Sequence, residues 1–273
     1  MGNKSISTPA FDFSGSIPHH YEQYLGPMFF EPYAIEVSKR IDSSSVHLAL
    51  EIASGTGRVT RHLRERIPAT SKLVASDISQ DMLSVAKEKL RNFDIDWQII
   101  DAQQLPFDDG SIDLVVCCFG YMFVPDKPKA FAEAYRVLRP GGMLLFTTWD
   151  KLELNAASYT YRKAAEKYLQ DPLPESCNLP FSMNDETVIR SILQNAGFSK
   201  ITIESVNKVS NSQTAKEAVN ALMQGGFIYN EIMKRNPAWI EEIKSTVEKE
   251  LVENFGAVPM IAPMCAVISQ AWK

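Results

Sequence analysis

Three carboxylates and one glycine-rich turn carry most of the chemistry this sequence offers. The segment Glu51-Ile52-Ala53-Ser54-Gly55-Thr56-Gly57-Arg58 closes an apolar run and opens a helical one. Glycines at such a junction let the backbone approach a ligand, and the next helix offers free N–H groups to an anionic end. The dinucleotide fingerprint wants a third glycine, and this chain has Thr60 there. Glu51, just ahead of the turn, repels a pyrophosphate and attracts positive charge. The next apolar run ends in Ser76-Asp77. An acid about 20 residues past the glycines can accept both hydroxyls of a ribose. The competing role for Asp77 is a helix N-cap. The third acid opens Asp101-Ala102-Gln103-Gln104-Leu105-Pro106-Phe107. Its carboxylate can accept from an adenine amino group while the N–H of Ala102 donates to a ring nitrogen. Alone, Asp101 reads as a loop acid in water; as the third acid in a series it does not. S-adenosylmethionine, with a sulfonium and an ammonium near one carboxylate, suits this arrangement.

The three acids can act together only if the runs that carry them lie side by side. Residues 46–53 read as a buried strand, 58–66 as a helix stopped by Pro68, and 72–76 as a second strand. Residues 79–92 follow as a helix with Leu83, Ala86, Leu90 and Phe93 at spacings of three and four, capped by Asp77 or Ser79. Strands are predicted at 95–100 and 112–119, the latter almost wholly apolar, as a strand covered on both faces should be. A helix at 127–138 stops at Arg139-Pro140-Gly141-Gly142, and a fifth strand runs over 143–149.

This alternation predicts an α/β fold with a doubly wound, mostly parallel sheet. Ligands in such sheets bind outside the carboxyl ends of the strands, which directs attention to the loops after the first four. Beyond Trp149, helices are predicted at 155–169, 184–196 and 237–255, and strands at 201–209 and 264–272. The two late strands are expected to form an antiparallel hairpin, with a helical cap of about 210–257 between them. That makes seven strands in all.

The order of these motifs resembles the class I S-adenosylmethionine-dependent methyltransferases, and among them the group of ubiquinone and menaquinone biosynthesis C-methyltransferases. The carrying residues are Glu-x-Ala-Ser-Gly-Thr-Gly from Glu51, Ser76-Asp77, Asp-Ala-x-x-Leu-Pro-Phe from Asp101, Phe-Gly-Tyr-Met-Phe-Val-Pro-Asp from Phe119 and Arg-Val-Leu-Arg-Pro-Gly-Gly from Arg136. The resemblance covers about residues 20–150 and is looser over 151–273. It implies a Rossmann-like fold with S-adenosylmethionine as cofactor. Glu51, Ala53, Ser54, Gly55, Thr56 and Gly57 would lie at its methionine part. Asp77 would hold the ribose hydroxyls, Ile78 and Met82 would pack near the adenine, and Asp101, Ala102 and Gln103 would hold the adenine edge. Phe119 and Gly120 would face the cofactor near its sulfur. Tyr21 and Tyr24, in His-His-Tyr-x-x-Tyr-Leu-Gly-Pro, resemble an N-terminal lid. The implied organisation is one methyltransferase domain over 1–273: tail and lid 1–42, cofactor core 43–150, substrate-side segments 151–273.

Methyl transfer from a sulfonium needs a base only if the acceptor must lose a proton. The candidates are His19, His20 and Tyr21, each weighed against a plain surface or packing role. The acceptor pocket is expected to be apolar and aromatic: Tyr121, Met122, Phe123 and Trp149, then Met183, Met223, Phe227, Tyr229 and Met233 from later segments. Only the strand-end residues among these stand clear of an ordinary core. Cys117 and Cys118 read as strand core, one side chain facing each way.

Composition narrows the partners. With 45% apolar and 22% charged residues, the chain has globular composition. Its net charge of −5 argues against nucleic acid, which needs a basic face. After the fourth strand it reads Cys118-Phe119-Gly120-Tyr121, unlike the DNA amino-methyltransferases, and a small-molecule acceptor is expected. No apolar run is long enough for insertion in a membrane, which takes about 20 residues. MGNKSISTPAFDFSG has no apolar signal core, has Ile6 where a myristoylation site wants Ser or Thr, and reads as a tail. Four cysteines without a Cys-x-x-Cys pair predict no zinc site and a reducing, cytoplasmic compartment. Two alternatives stay open on the sequence: a catalytically inert S-adenosylmethionine-binding protein, and a nicotinamide-dependent reductase, against which Glu51 and Thr60 speak.

Overall fold

Five of the apolar runs pair in parallel: β1 (Leu48–Ile52), β2 (Lys72–Asp77), β3 (Asp96–Ile99), β4 (Ile112–Cys118) and β5 (Leu138–Trp149). Two late strands, β6 (Lys200–Ser212) and β7 (Met260–Trp272), run antiparallel, β7 lying between β5 and β6. The sheet order is β3-β2-β1-β4-β5-β7-β6. This computed structural model describes Gly15 and residues 17–169, 172–223 and 226–273. Most of the predicted tail, residues 1–14, therefore lies outside the described residues. The central strands bury both faces: Val115, Val116 and Cys117 on β4 and Leu144, Leu145 and Phe146 on β5 are fully enclosed, as their unbroken apolar runs require.

The strand order reverses between β1 and β4, and that switch point opens a crevice at the carboxyl ends. Helices α3 (Arg58–Arg66), α4 (Gln80–Lys89) and α5 (Lys127–Val137) are the crossovers. Ser79 caps α4, its hydroxyl accepting from the N–H of Met82 at 3.3 Å. The helix is shorter than the predicted 79–92. The Arg139-Pro140-Gly141-Gly142 segment was expected to precede the fifth strand and instead lies inside β5. The β4–β5 register jumps there, from Ile112 opposite Leu138 to Leu114 opposite Met143. Gly141 has φ +79°, and a Cβ at Gly142 would lie 2.9–3.1 Å from the carbonyls of Arg139, Asp113 and Ile112. The helix does end just before this segment, at Val137, but the glycines then make an irregularity inside the strand rather than a gap ahead of it.

Helices α6 (Ala156–Leu169) and α7 (Glu186–Ala196) follow β5, and α8 (Ala215–Met223), α9 (Phe227–Arg235) and α10 (Trp239–Phe255) fill the β6–β7 connection. At the other end of the described chain, residues 17–39 form one helical rod. Its ends are α1 (Ile17–His20) and α2 (Glu31–Lys39), and its middle, Tyr21–Phe30, is a widened π-type stretch holding Pro27. Proline lacks an N–H, and a widened turn is one way a helix absorbs that loss. The α2 end rests on β6: the Tyr33 hydroxyl donates to the Val206 carbonyl at 2.9 Å, Lys208 pairs with Glu36 at 2.8 Å, and Arg40 pairs with Glu204. Among the described residues no helix is long and apolar enough to cross a membrane.

Candidate active site

The turn from β1 into α3 needs left-handed backbone three times within five residues: Ala53 (φ +54°), Gly55 (φ +55°) and Gly57 (φ +75°). For Ala53 that conformation costs energy, a kind of strain that gathers at functional sites. Gly57 is also forced by packing, since a Cβ there would lie 2.9 Å from Leu90 and 3.2 Å from Ala86 and Trp97. Gly55 differs: nothing lies within 4 Å of the position its Cβ would take, so this side of the turn is open. The exit of β4 repeats the pattern. Phe119 has φ +56° while its N–H donates to the Thr147 carbonyl at 2.9 Å. A Cβ on Gly120 would fall 2.5 Å from the Cβ of Ala53. Only glycine at 120 lets the two strand-end turns touch.

Asp77 joins this turn to the next one. One carboxylate oxygen accepts from the N–H of Gly55 and the other from the N–H of Ser79, both at 2.8 Å. Ser79 does the capping, so Asp77 is not the N-cap. A carboxylate offers about four acceptor positions, and these two bonds leave room for more. Burial pushes its pKa up, while the bonds from Ser79 and Gly55 pull it back. Asp101 accepts from the backbone and side-chain amides of Gln103 at 2.9 and 3.0 Å. The Gln103 side chain in turn accepts from the N–H of Asp126 at 3.0 Å. Glu51 is almost wholly enclosed, and its Oε2 has no hydrogen-bond partner among the described residues. Burial drives its carboxyl pKa to about 8.

A cavity of about 300 Å³ lies over these turns, the lower end of small-molecule sites. Ala53, Gly55, Asp77, Ile78, Met82, Asp101, Ala102, Gln103, Phe119 and Gly120 all line it. Of the other expected cofactor residues on the strand ends, Glu51, Ser54, Thr56 and Gly57 lie behind that surface. Ser54 donates its N–H to the Ser76 carbonyl at 2.9 Å, and the Thr56 hydroxyl donates to Glu22 at 2.6 Å. The far wall is aromatic. Phe119 and Trp149 stack with centroids 4.2 Å apart, and Phe30 meets both, at 5.2 and 5.7 Å. Phe123 and Phe227, stacked at 6.2 Å, line the side toward the cap.

Several expected acceptor residues sit elsewhere. Tyr121 and Met122 are fully buried, Tyr121 stacked on Phe131 at 4.3 Å. Met183 and Met223 are core, Tyr229 packs half-buried on the core, and Met233 is exposed.

The rod 17–39 roofs the cavity, to which it contributes Ile17, Tyr21, Leu25 and Phe30. Of the three candidate bases only Tyr21 lines it, stacked on Phe30 at 5.0 Å. Burial pushes the Tyr21 pKa up, so its hydroxyl keeps its proton at neutral pH. His19 is exposed, and a ring nitrogen of His20 meets the Asn220 carbonyl at 3.0 Å. Tyr24 leaves the cavity and packs against the His20 ring at 4.8 Å.

Sequence reasoning passed over the ions that hold this roof. Arg58 donates to Glu22 at 2.7 Å and to Glu31 at 2.6 Å; Lys89 also reaches Glu22, at 2.8 Å, and His62 meets Glu31 at 2.8 Å. Burial raises the Glu31 pKa, and its bonds to Arg58 and His62 outweigh that and hold it low. Cys117 and Cys118 both border the cavity, their thiols pushed up in pKa by burial. Among the described residues no cluster of three His, Cys, Asp or Glu could hold a metal ion.

A family model described as a methyltransferase domain matches residues 50–146. The ubiquinone/menaquinone biosynthesis C-methyltransferase UbiE of Pseudoalteromonas translucida is 31% identical over 216 residues, spanning 71% of this chain and 84% of its own. Phosphoethanolamine N-methyltransferase 2 of Haemonchus contortus, solved with S-adenosyl-L-methionine, superposes with a TM-score of 0.60 at 17% identity, over 100% of this chain and 61% of that one. The [4+2]-cyclase SpnF superposes with a TM-score of 0.54 at 17% identity, over 89% and 81% of the two chains. At such identities the two structural likenesses show the fold alone.

Proposed function

This chain belongs to the class I S-adenosylmethionine-dependent methyltransferases, and from that premise we propose that it methylates a small apolar or aromatic metabolite seated against Phe119 and Trp149. The observation that carries the reading is one cavity with two unlike ends. Asp77 and Asp101 stand at one end, and an uncharged aromatic wall stands at the other. The family assignment removes the nicotinamide-dependent alternative. The C-methyltransferase relative and the flat wall together support a ring carbon as the acceptor atom.

The residues present fit the cofactor. Asp77 keeps acceptor positions for the ribose hydroxyls, and Gly55 leaves its side of the turn clear. Ile78 and Met82 offer apolar surface beside the Asp101–Ala102 edge, where the adenine would lie. Glu51 Oε2, without a hydrogen-bond partner among the described residues, is an acceptor behind the turn for the ammonium, whose positive charge would favour the ionised carboxylate. When bound, the cofactor supplies a methyl group already activated on a sulfonium. The protein's work is then alignment and exclusion of water. Phe119 and Gly120 fix the floor where the two strand-end turns meet. Trp149 and Phe30 orient a planar acceptor by stacking. Tyr21, protonated at neutral pH, orients as a donor and takes no proton. In this reading residues 17–42 act as lid, 43–150 as cofactor core and 151–273 as the substrate side. The four free cysteines support the expected cytoplasmic setting.

Titration with S-adenosylmethionine and its demethylated product should give micromolar binding by calorimetry. Incubation with methyl-labelled cofactor and a panel of quinols, phenols and indoles should then label one class. Binding without transfer to any acceptor would leave the inert, cofactor-binding alternative standing. No binding of either form of the cofactor would overturn the reading altogether.

A further inference from the structure

The roof rod is fastened at two places of different character. Its α2 end is fixed to β6 through Tyr33, Glu36 and Arg40. Its cavity end carries Tyr21 and Leu25 and rests on charge. Glu22, next to Tyr21, spends one carboxylate oxygen on Arg58 (2.7 Å) and the other on Thr56 (2.6 Å) and Lys89 (2.8 Å). The Glu22 carbonyl also accepts from Arg58, at 3.3 Å. Glu31, at the start of α2, takes the other arm of the same guanidinium at 2.6 Å. One side chain therefore grips the rod near both ends of its widened stretch, at Glu22 just inside it and at Glu31 just beyond it.

Two observations single out Arg58 from an ordinary surface ion pair. It is the first residue of α3, where the helix dipole disfavours a cation. Helix stability therefore does not explain it. Its guanidinium also runs directly under Gly26, where a Cβ would lie 2.5 Å from Nε and Nη2. The rod is notched to let this side chain pass, and the side chain could shift only by giving up its bonds.

We propose that Arg58 is a positioning residue for the cofactor: through Glu22 and Glu31 it seats Tyr21, Leu25 and Phe30 over the cavity and sets how fast the cofactor leaves. This rests on the cofactor reading above. Thr56, in the glycine turn, donates to the Glu22 carboxylate that Arg58 holds, so the roof and the cofactor turn share one latch.

The test uses the full chain and S-adenosylhomocysteine, with affinity from calorimetry and dissociation followed by tryptophan fluorescence. Arg58→Met should weaken binding roughly tenfold, the scale of one lost charge-assisted bond, mainly through faster dissociation. Wild-type dissociation should speed up between about 50 and about 500 mM KCl as the latch is screened; that of Arg58→Met should not. Gly26→Ala keeps every charge but displaces the guanidinium, and should reproduce the faster release. It also carries the test should Arg58→Met fail to fold. Arg61→Met, which removes an exposed pair with Glu65 on the same helix, should behave as wild type. Adding Glu22→Gln to Arg58→Met should cost little more. Wild-type release rates in both Arg58→Met and Gly26→Ala, or an unchanged salt response in Arg58→Met, would overturn the proposal. Wild-type protein that binds no S-adenosylhomocysteine would instead overturn the cofactor reading itself.

Discussion

On the floor of the cavity, position is set by the main chain. Ala53, Gly55, Gly57 and Phe119 hold left-handed backbone, and Asp77 clamps two turns through their N–H groups. On the roof and the far wall, position is set by side chains: stacked rings from Phe30, Phe119 and Trp149, and ions gathered on Arg58. A floor of this kind tolerates few residue types at each point, because a backbone angle or an open space at a turn has few solutions. A packed wall accepts many, since rings and aliphatic groups of similar volume can replace one another at modest cost. In the proposed function, the fixed part of the reaction, holding a nucleoside cofactor, falls on the floor, and the variable part, the acceptor, on the wall.

The sharpest way to strain that contrast is to change the floor's buried carboxyl group. With its pKa raised by burial from 4.5 to about 8, Glu51 binds its proton more tightly folded than unfolded. The stability this gives is fully present below the unfolded value and is lost as pH rises through about 8. At about 1.4 kcal/mol per unit, the loss amounts to several kcal/mol. The thermal midpoint of the unliganded protein should therefore fall more steeply from pH 5 to pH 9 than that of Glu51→Gln. Parallel curves would show that the carboxylate is not held in apolar surroundings. Next in size is Asp77→Ala, which orphans the Gly55 and Ser79 N–H groups and removes the proposed ribose acceptor. Cofactor affinity should drop by roughly 1–3 kcal/mol, read by calorimetry. An unchanged affinity would reduce Asp77 to a clamp. The smallest effect on the cofactor belongs to the wall: Phe227→Ala should alter S-adenosylhomocysteine affinity by less than about 0.5 kcal/mol. It should still change the KM for whichever acceptor the labelling assay identifies. A large loss of cofactor affinity there would erase the division between floor and wall.

The same contrast explains what the sequence disclosed. Acids at strand ends and glycines at turns are local necessities, so the order of β1 to β5 and the turns at Gly55, Asp77 and Asp101 could be read directly. Glu22 and Arg58 sit 36 positions apart, and nothing in either neighbourhood names its partner. The one available hint was a cation on the first turn of α3. Tyr121 and Phe123 look alike beside a strand end, yet one turns into the core against Phe131 and the other into the cavity. That choice depends on helices distant in sequence. The Gly141–Gly142 pair was read correctly as lying beyond the end of the 127–138 helix, but it displaced the expected start of the fifth strand. Its composition also suggests a break before a strand, but the close carbonyls of Ile112 and Asp113 make it a bend within one.

Helices α8 to α10 leave the sheet at Ser212 and return at Met260, two residues directly opposite each other in the ladder. An insert whose two ends meet at neighbouring rungs can be lengthened, shortened or exchanged without disturbing strand order. The hairpin thus works as a socket. On the proposed function, new acceptor preferences can be grafted at this one junction while the nucleoside grip, carried by the turns after β1, β2 and β3, is inherited unchanged.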